Sequence, residues 1–173
     1  MAGKLVQVAT NTVTSAVASV TLTGIDSDDV YMLAFNQVIG SSGNNNLEMR
    51  VTESGTPNTT SNYDWAVKKL DATTTFGNQN VTNLDHFYLN IQVGNDPADF
   101  EENEGIVYIY NANNSSEYTF MSQETVYLNP FTAGLNGGQG GGVFTSASAV
   151  DGLNIFFSSG NIASGTFTLY KVI

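Results

Sequence analysis

The chain has 173 residues, a formal net charge of −11 from sixteen acidic and five basic residues, and no cysteine. That excludes disulfides, thiolate metal sites and a cysteine nucleophile. With Lys68-Lys69 as its one basic cluster, it also excludes nucleic acid and anionic membranes as partners, because both are held through clustered Lys and Arg. Charged residues make up 12% of the chain, so its polar surface falls to Asn, Thr, Ser and Gly. These residues suit turns and solvent-facing strand positions and compete with a helical backbone.

From the N-terminus, Lys4 to Thr10 alternates as a strand, and Ala16, Ala18, Val20 and Leu22 share one face of the next. Gln7, Thr10, Asn11, Thr12 and Thr14 interrupt any apolar leader, so a soluble protein made without a secretion signal is expected. Val30 to Ile39 predicts a long strand with Tyr31, Leu33, Phe35, Gln37 and Ile39 on one side. Leu47 to Glu53 alternates cleanly, with Leu47, Met49 and Val51 inward and Glu48, Arg50 and Thr52 toward water. Tyr63 to Leu70 carries Trp65 and Val67 inward, and Asp71 to Asn83 reads as mostly loop.

Leu84 to Val93 predicts a strand, Gly94 to Gly105 an acidic loop, and Ile106 to Tyr110 a short buried strand. Tyr118 to Leu128 predicts one or two strands, and Asn129 to Gly142 a long Pro- and Gly-rich loop. Asp151 to Ile173 predicts a terminal hairpin with Phe167 and Leu169 on one face. About ten or eleven strands with turn signals between them, and no helical period, predict an all-β fold. The expected architecture is one domain over residues 1–173, an antiparallel two-sheet sandwich of jelly-roll type with essentially no helix. The N-terminal strands within residues 1–23 should pair with the C-terminal strand at 166–173. Few Lys, Pro or charged residues guard the strand edges, which predicts cover by loops or by a cyclic homo-oligomer, a trimer being favoured.

The chemistry-bearing residues point away from catalysis. His86 is the single histidine and follows Asp85; as neighbours in a strand their side chains should point to opposite faces, so no triad is expected. Carboxylates gather at Asp26, Asp28 and Asp29 and at Asp96, Asp99, Glu101, Glu102 and Glu104. Neither bunch has the glycine and bidentate Glu offsets of a calcium loop. Gly137 to Gly142 lacks the Lys-Ser/Thr of a phosphate loop. No catalytic, cofactor-binding or metal-ligating residue is predicted, and no cofactor. Consecutive aromatics such as Phe156 and Phe157 must place one ring of the pair on an outer face, beside Asn and Ser, as interfaces and carbohydrate-binding surfaces do.

The opening MAGKLVQVATNTVTSAVASVTLTGIDS, the stretch Ile106 to Phe120 and the ending Asp151 to Ile173 resemble small structural proteins of tailed phages of marine bacteria, cyanophage-like ones among them. The most specific pieces are Gly160 to Tyr170 (GNIASGTFTLY) and Tyr110 to Asn113 (YNAN). The resemblance carries no active-site residue. It implies a non-enzymatic virion component, made in the host cytoplasm, with major capsid or other virion proteins as partners. The role implied is a capsid decoration or cement protein on the head exterior. The alternative is a tail or head-appendage subunit contacting the host surface, with a host glycan as ligand. Partner-specific contacts are expected in the loops Ser41–Asn46, Gly94–Gly105 and Asn129–Gly142.

Overall fold

The structure, a computed structural model, describes residues 3–131 and 134–173. The described residues form thirteen strands, a single 3-10 turn and no α-helix. The strands are β1 (Leu5–Val13), β2 (Ser19–Thr23), β3 (Tyr31–Gly40), β4 (Asn45–Glu53), β5 (Thr56–Pro57), β6 (Tyr63–Asp71) and β7 (Gly77–Leu84). They continue as β8 (Phe87–Val93), β9 (Asn103–Tyr110), β10 (Thr119–Asn129), β11 (Gly134–Phe144), β12 (Gly152–Phe157) and β13 (Ile162–Val172). An eight-stranded antiparallel sheet runs β1-β13-β3-β9-β10-β11-β6-β7, and a smaller one runs β2-β12-β4-β5, with β8 also on β4.

Within these sheets lies an eight-strand jelly roll. β1 pairs with β13, β2 with β12, β3 with β9 and β4 with β8, the nesting produced when one long hairpin is rolled up. β13 also pairs with β3, and β12 with β4, which closes each half. The remaining strands are insertions, of which the two-residue β5 stays on β4 in the small sheet. β6 and β7, between β4 and β8, and β10 and β11, between β9 and β12, all join the β9 side and double the width of one sheet.

A continuous apolar core fills the space between the sheets. Leu33, Phe167, Val107 and Ile109 from the wide sheet meet Leu47, Met49, Leu153 and Ile155 from the small one, all fully buried. Each such side chain stabilises the fold by about 1.5–3 kcal/mol relative to exposure. Tyr63 is an aromatic hub, 4.9 Å from Phe87 edge-on and 4.8 Å from Phe144. Its buried hydroxyl donates to the Asn58 carbonyl at 2.8 Å.

Several expectations are corrected. The terminal segment is not a hairpin: β12 lies in the small sheet and β13 in the wide one, so residues 158–161 cross between layers. β1 pairs with β13 from Leu5↔Val172 to Val13↔Gly165, but β2, also N-terminal, pairs with β12. The period-two pattern reports a strand and its buried face, not its partner. Gln37 does not continue the inward face of β3; it sits at φ 53° in a register break, which brings Val38 into the core in its place. Glu48 and Thr52 do not face water and are 4% and 0% exposed. The segments 77–84 and 134–144 are strands, not loops, and β9 begins at Asn103 inside the expected acidic loop.

β11 is the instructive case. It pairs with β10 from Gly134 to Phe144 and with β6 from Asn136 to Phe144. A Cβ on Gly137 or Gly141 would fall onto the carbonyl oxygens of Thr125 or Met121, and one on Gly140 onto that of Ala66. The glycine run is therefore a sheet strand, pressed too closely at 137, 140 and 141 by one neighbour or the other to carry a side chain there.

Candidate functional site

The loops expected to carry partner contacts gather at one end of the sandwich. The amide of Asn44 donates to the Val93 carbonyl at 2.9 Å, which ties the β3–β4 loop to the end of β8, where the acidic loop begins. Asp99 and Glu101 of that loop, with Leu128, Asn129 and Pro130, line an open hollow of about 350 Å³ beside the β10–β11 connection. The amide of Ala72, just after β6, donates to the Leu135 carbonyl at 2.9 Å and adds the β6–β7 loop to the group. Of Asn129–Gly142, residues 132 and 133 lie outside the described residues, and 134–142 belong to β11.

This end presents large apolar side chains to solvent: Phe100 is 74% exposed, Phe131 63%, Phe76 60% and Leu135 50%. Phe100 is the most constrained of them. It caps the Pro97–Asp99 turn in the left-handed region, at φ 59° and ψ 34°. A bulky residue there is a backbone outlier of the kind that costs about 1–3 kcal/mol and clusters at functional sites. The neighbouring carboxylates have defined tasks. Glu101 accepts the amides of Asn95 and Asp96 at 2.8 and 2.9 Å, and Asp96 accepts that of Ala98 at 2.8 Å. Glu104 accepts the Gln37 amide at 3.0 Å. Asp99 stays exposed beside Phe100.

The Asp26–Asp29 bunch is occupied by an ammonium group from within the chain. Lys171 Nζ lies 2.9 Å from Asp29, 3.4 Å from Asp26 and 2.7 Å from Ser27 Oγ. The contact with Asp29 raises the lysine pKa. Asp26 is lowered chiefly by the Tyr31 hydroxyl, which donates to it at 2.8 Å, and Asp29 by Lys171. A lysine fills the space a hard cation would need, and among the described residues no group of three or more His, Cys, Asp or Glu could hold a metal.

Asp85 and His86 do not point apart. They occupy the bend between β7 and β8, not a strand, and His86 Nδ1 donates to Asp85 Oδ1 at 2.7 Å. Arg50 holds the other side of Asp85 through its carboxylate and backbone carbonyl, and lies 4.3 Å over the Phe156 ring. Across the imidazole, Nε2 has no hydrogen-bond partner and faces Glu48 Oε1 at 3.5 Å. Burial raises Glu48 to about 7 and lowers His86, whose bond to Asp85 opposes the shift. Partial burial would raise Asp85, but the hydrogen bonds from His86 and Arg50 outweigh it and hold its carboxyl low. The imidazole is bonded to Asp85 on one side and faces Glu48 on the other, and among the described residues no hydroxyl is bonded to Nε2, so the cluster lacks the base–nucleophile pair of a triad. Phe157 is core and Phe156 is the half-buried outer ring, as alternation predicts.

The chain matches no protein-family model and no curated protein. Among the described residues, no helix is long and apolar enough to cross a membrane.

Proposed function

We propose that this chain is a non-enzymatic virion structural protein, a decoration or cement subunit that docks on the head of a tailed phage through its aromatic loop end. The observation that carries the reading is the set of phenylalanines held out at that end, one of them in a strained left-handed conformation. Exposed aromatics that bury on contact supply most of the affinity of protein interfaces. The exposed acid beside Phe100 and the chain's net charge of −11 suit a protein surface carrying Lys and Arg and repel an anionic bilayer. The sequence resemblance supports a virion role, and the jelly roll is an architecture used by capsid and lectin domains alike.

The test is co-sedimentation with phage heads prepared without this chain. The wild-type protein is expected to pellet saturably with the heads, and Phe100→Ser and Phe131→Ser to stay in the supernatant while remaining folded. Binding to host cells and not to heads would contradict the decoration role and favour the appendage one.

A further inference from the structure

On the outer face of the wide sheet, register alone builds a trough that runs across the strands. Tyr108, Ser122, Gly141, Ala66 and Asn80 pair in one row from β9 to β7. Apart from the terminal Tyr108 and Asn80, the row is small, so the backbone lies bare along its middle. The adjoining row, from Glu124 through Gln139 and Lys68 to Asn78, stands higher. On the far side are the exposed rings of Tyr110 and Phe120. Gln139 divides the trough into two open depressions of about 250 and 390 Å³. Four strand spacings give a length of about 19 Å.

We infer that this trough is a binding site for a neutral oligosaccharide chain. Sugar rings present apolar C–H faces and a rim of hydroxyls, which call for aromatic faces together with groups that both donate and accept hydrogen bonds. Tyr108 lines the first depression, and Tyr110 donates to or accepts from Ser122 at 3.1 Å at its margin. The amides of Gln139, Asn78 and Asn80 line the second. Glu124 and Lys68 on the higher wall are set apart by Gln139, and Asp64 in the opposite row accepts the Asn83 amide at 2.9 Å, so the trough offers no cluster of like charge to hold an anionic or cationic chain. A polypeptide is disfavoured, because the sheet's backbone groups are spent laterally and the face offers no free edge to pair with. The β10 backbone that crowds Gly141 also keeps the floor flat enough for a ring to lie on. This inference does not depend on where the chain sits in a particle.

Native electrophoresis of the full chain in gels containing a soluble glucan, mannan or galactan tests it, with Tyr108→Ala and Gln139→Ala beside the wild type. The expected result is retardation of the wild type by at least one polysaccharide, unchanged in high salt, and binding roughly tenfold weaker in both variants. The variants should unfold at the wild-type temperature. Wild-type migration unaffected by all three polysaccharides would overturn the inference, as would retardation that both variants retain in full. Loss of head binding in the same variants, without any polysaccharide effect, would assign the face to a protein partner and overturn it equally.

Discussion

Glu48 projects from the outer side of β4 and yet is 4% exposed, because His86 and the elements around it close over the carboxyl. Burial lifts its pKa from 4.5 to about 7, so between those values the folded chain holds a proton that the unfolded chain has released. Stability from this group is present in full below pH 4.5 and is lost as pH rises to about 7. His86 is lowered and works in the opposite sense, losing stability as pH falls below 6.5. Glu48→Gln mimics the protonated acid and should remove the first slope. Urea denaturation should show the variant gaining about 2 kcal/mol over wild type at pH 8 relative to pH 5. An equal difference at both pH values would mean that Glu48 is not buried as a neutral acid. In the sequence, Glu48 looks like one solvent-facing member of an alternating strand. Nothing in that alternation shows that a bend at Asp85-His86 folds back over it.

The β8 strand is an edge, and its free carbonyls are capped by side chains of the opposite sheet instead of by another strand. Gln123 Nε2 and Thr125 Oγ1 both donate to the Leu89 carbonyl, at 3.0 and 3.1 Å, and Tyr127 donates to that of Ile91. Three successive inward positions of β10 thus protect the edge, so its lack of Lys or Pro does not by itself require a second subunit. Tyr127→Phe should leave the Ile91 carbonyl unsatisfied and cost about 1 kcal/mol in urea denaturation. No measurable cost would show that the cap does not hold β8. β4 and β13 are legible in the sequence because one face of each is apolar and buried. β7 and β11 are not, for different reasons. β7 is the outer strand of the wide sheet, its polar residues exposed or half-exposed without a fully buried position. β11 carries glycine at 137, 140, 141 and 142 because a Cβ there would meet a neighbouring strand's carbonyl oxygen.

At the scale of the whole molecule, the jelly roll follows from which strands nest, and the alternating pattern along the chain supports a two-sheet sandwich. It says nothing of which strands change layer, so the terminal segment reads as a hairpin when its halves lie in opposite sheets. The candidate end was partly legible: the loops 41–44 and 94–102 and the β10–β11 connection do converge there. The exposure of Phe76, Phe100 and Phe131 was not, because an aromatic within a loop carries no period to show its direction. The doubled sheet separates two surfaces, the aromatic loop end proposed for docking and the broad polar outer face of the wide sheet. The most direct measurement of the proposed role is the copy number of this chain, by quantitative mass spectrometry, in purified tailed-phage particles whose genome carries its sequence. Decoration of a symmetric shell predicts on the order of hundreds of copies per particle. About a dozen or fewer would contradict it and place the chain in a tail or head appendage.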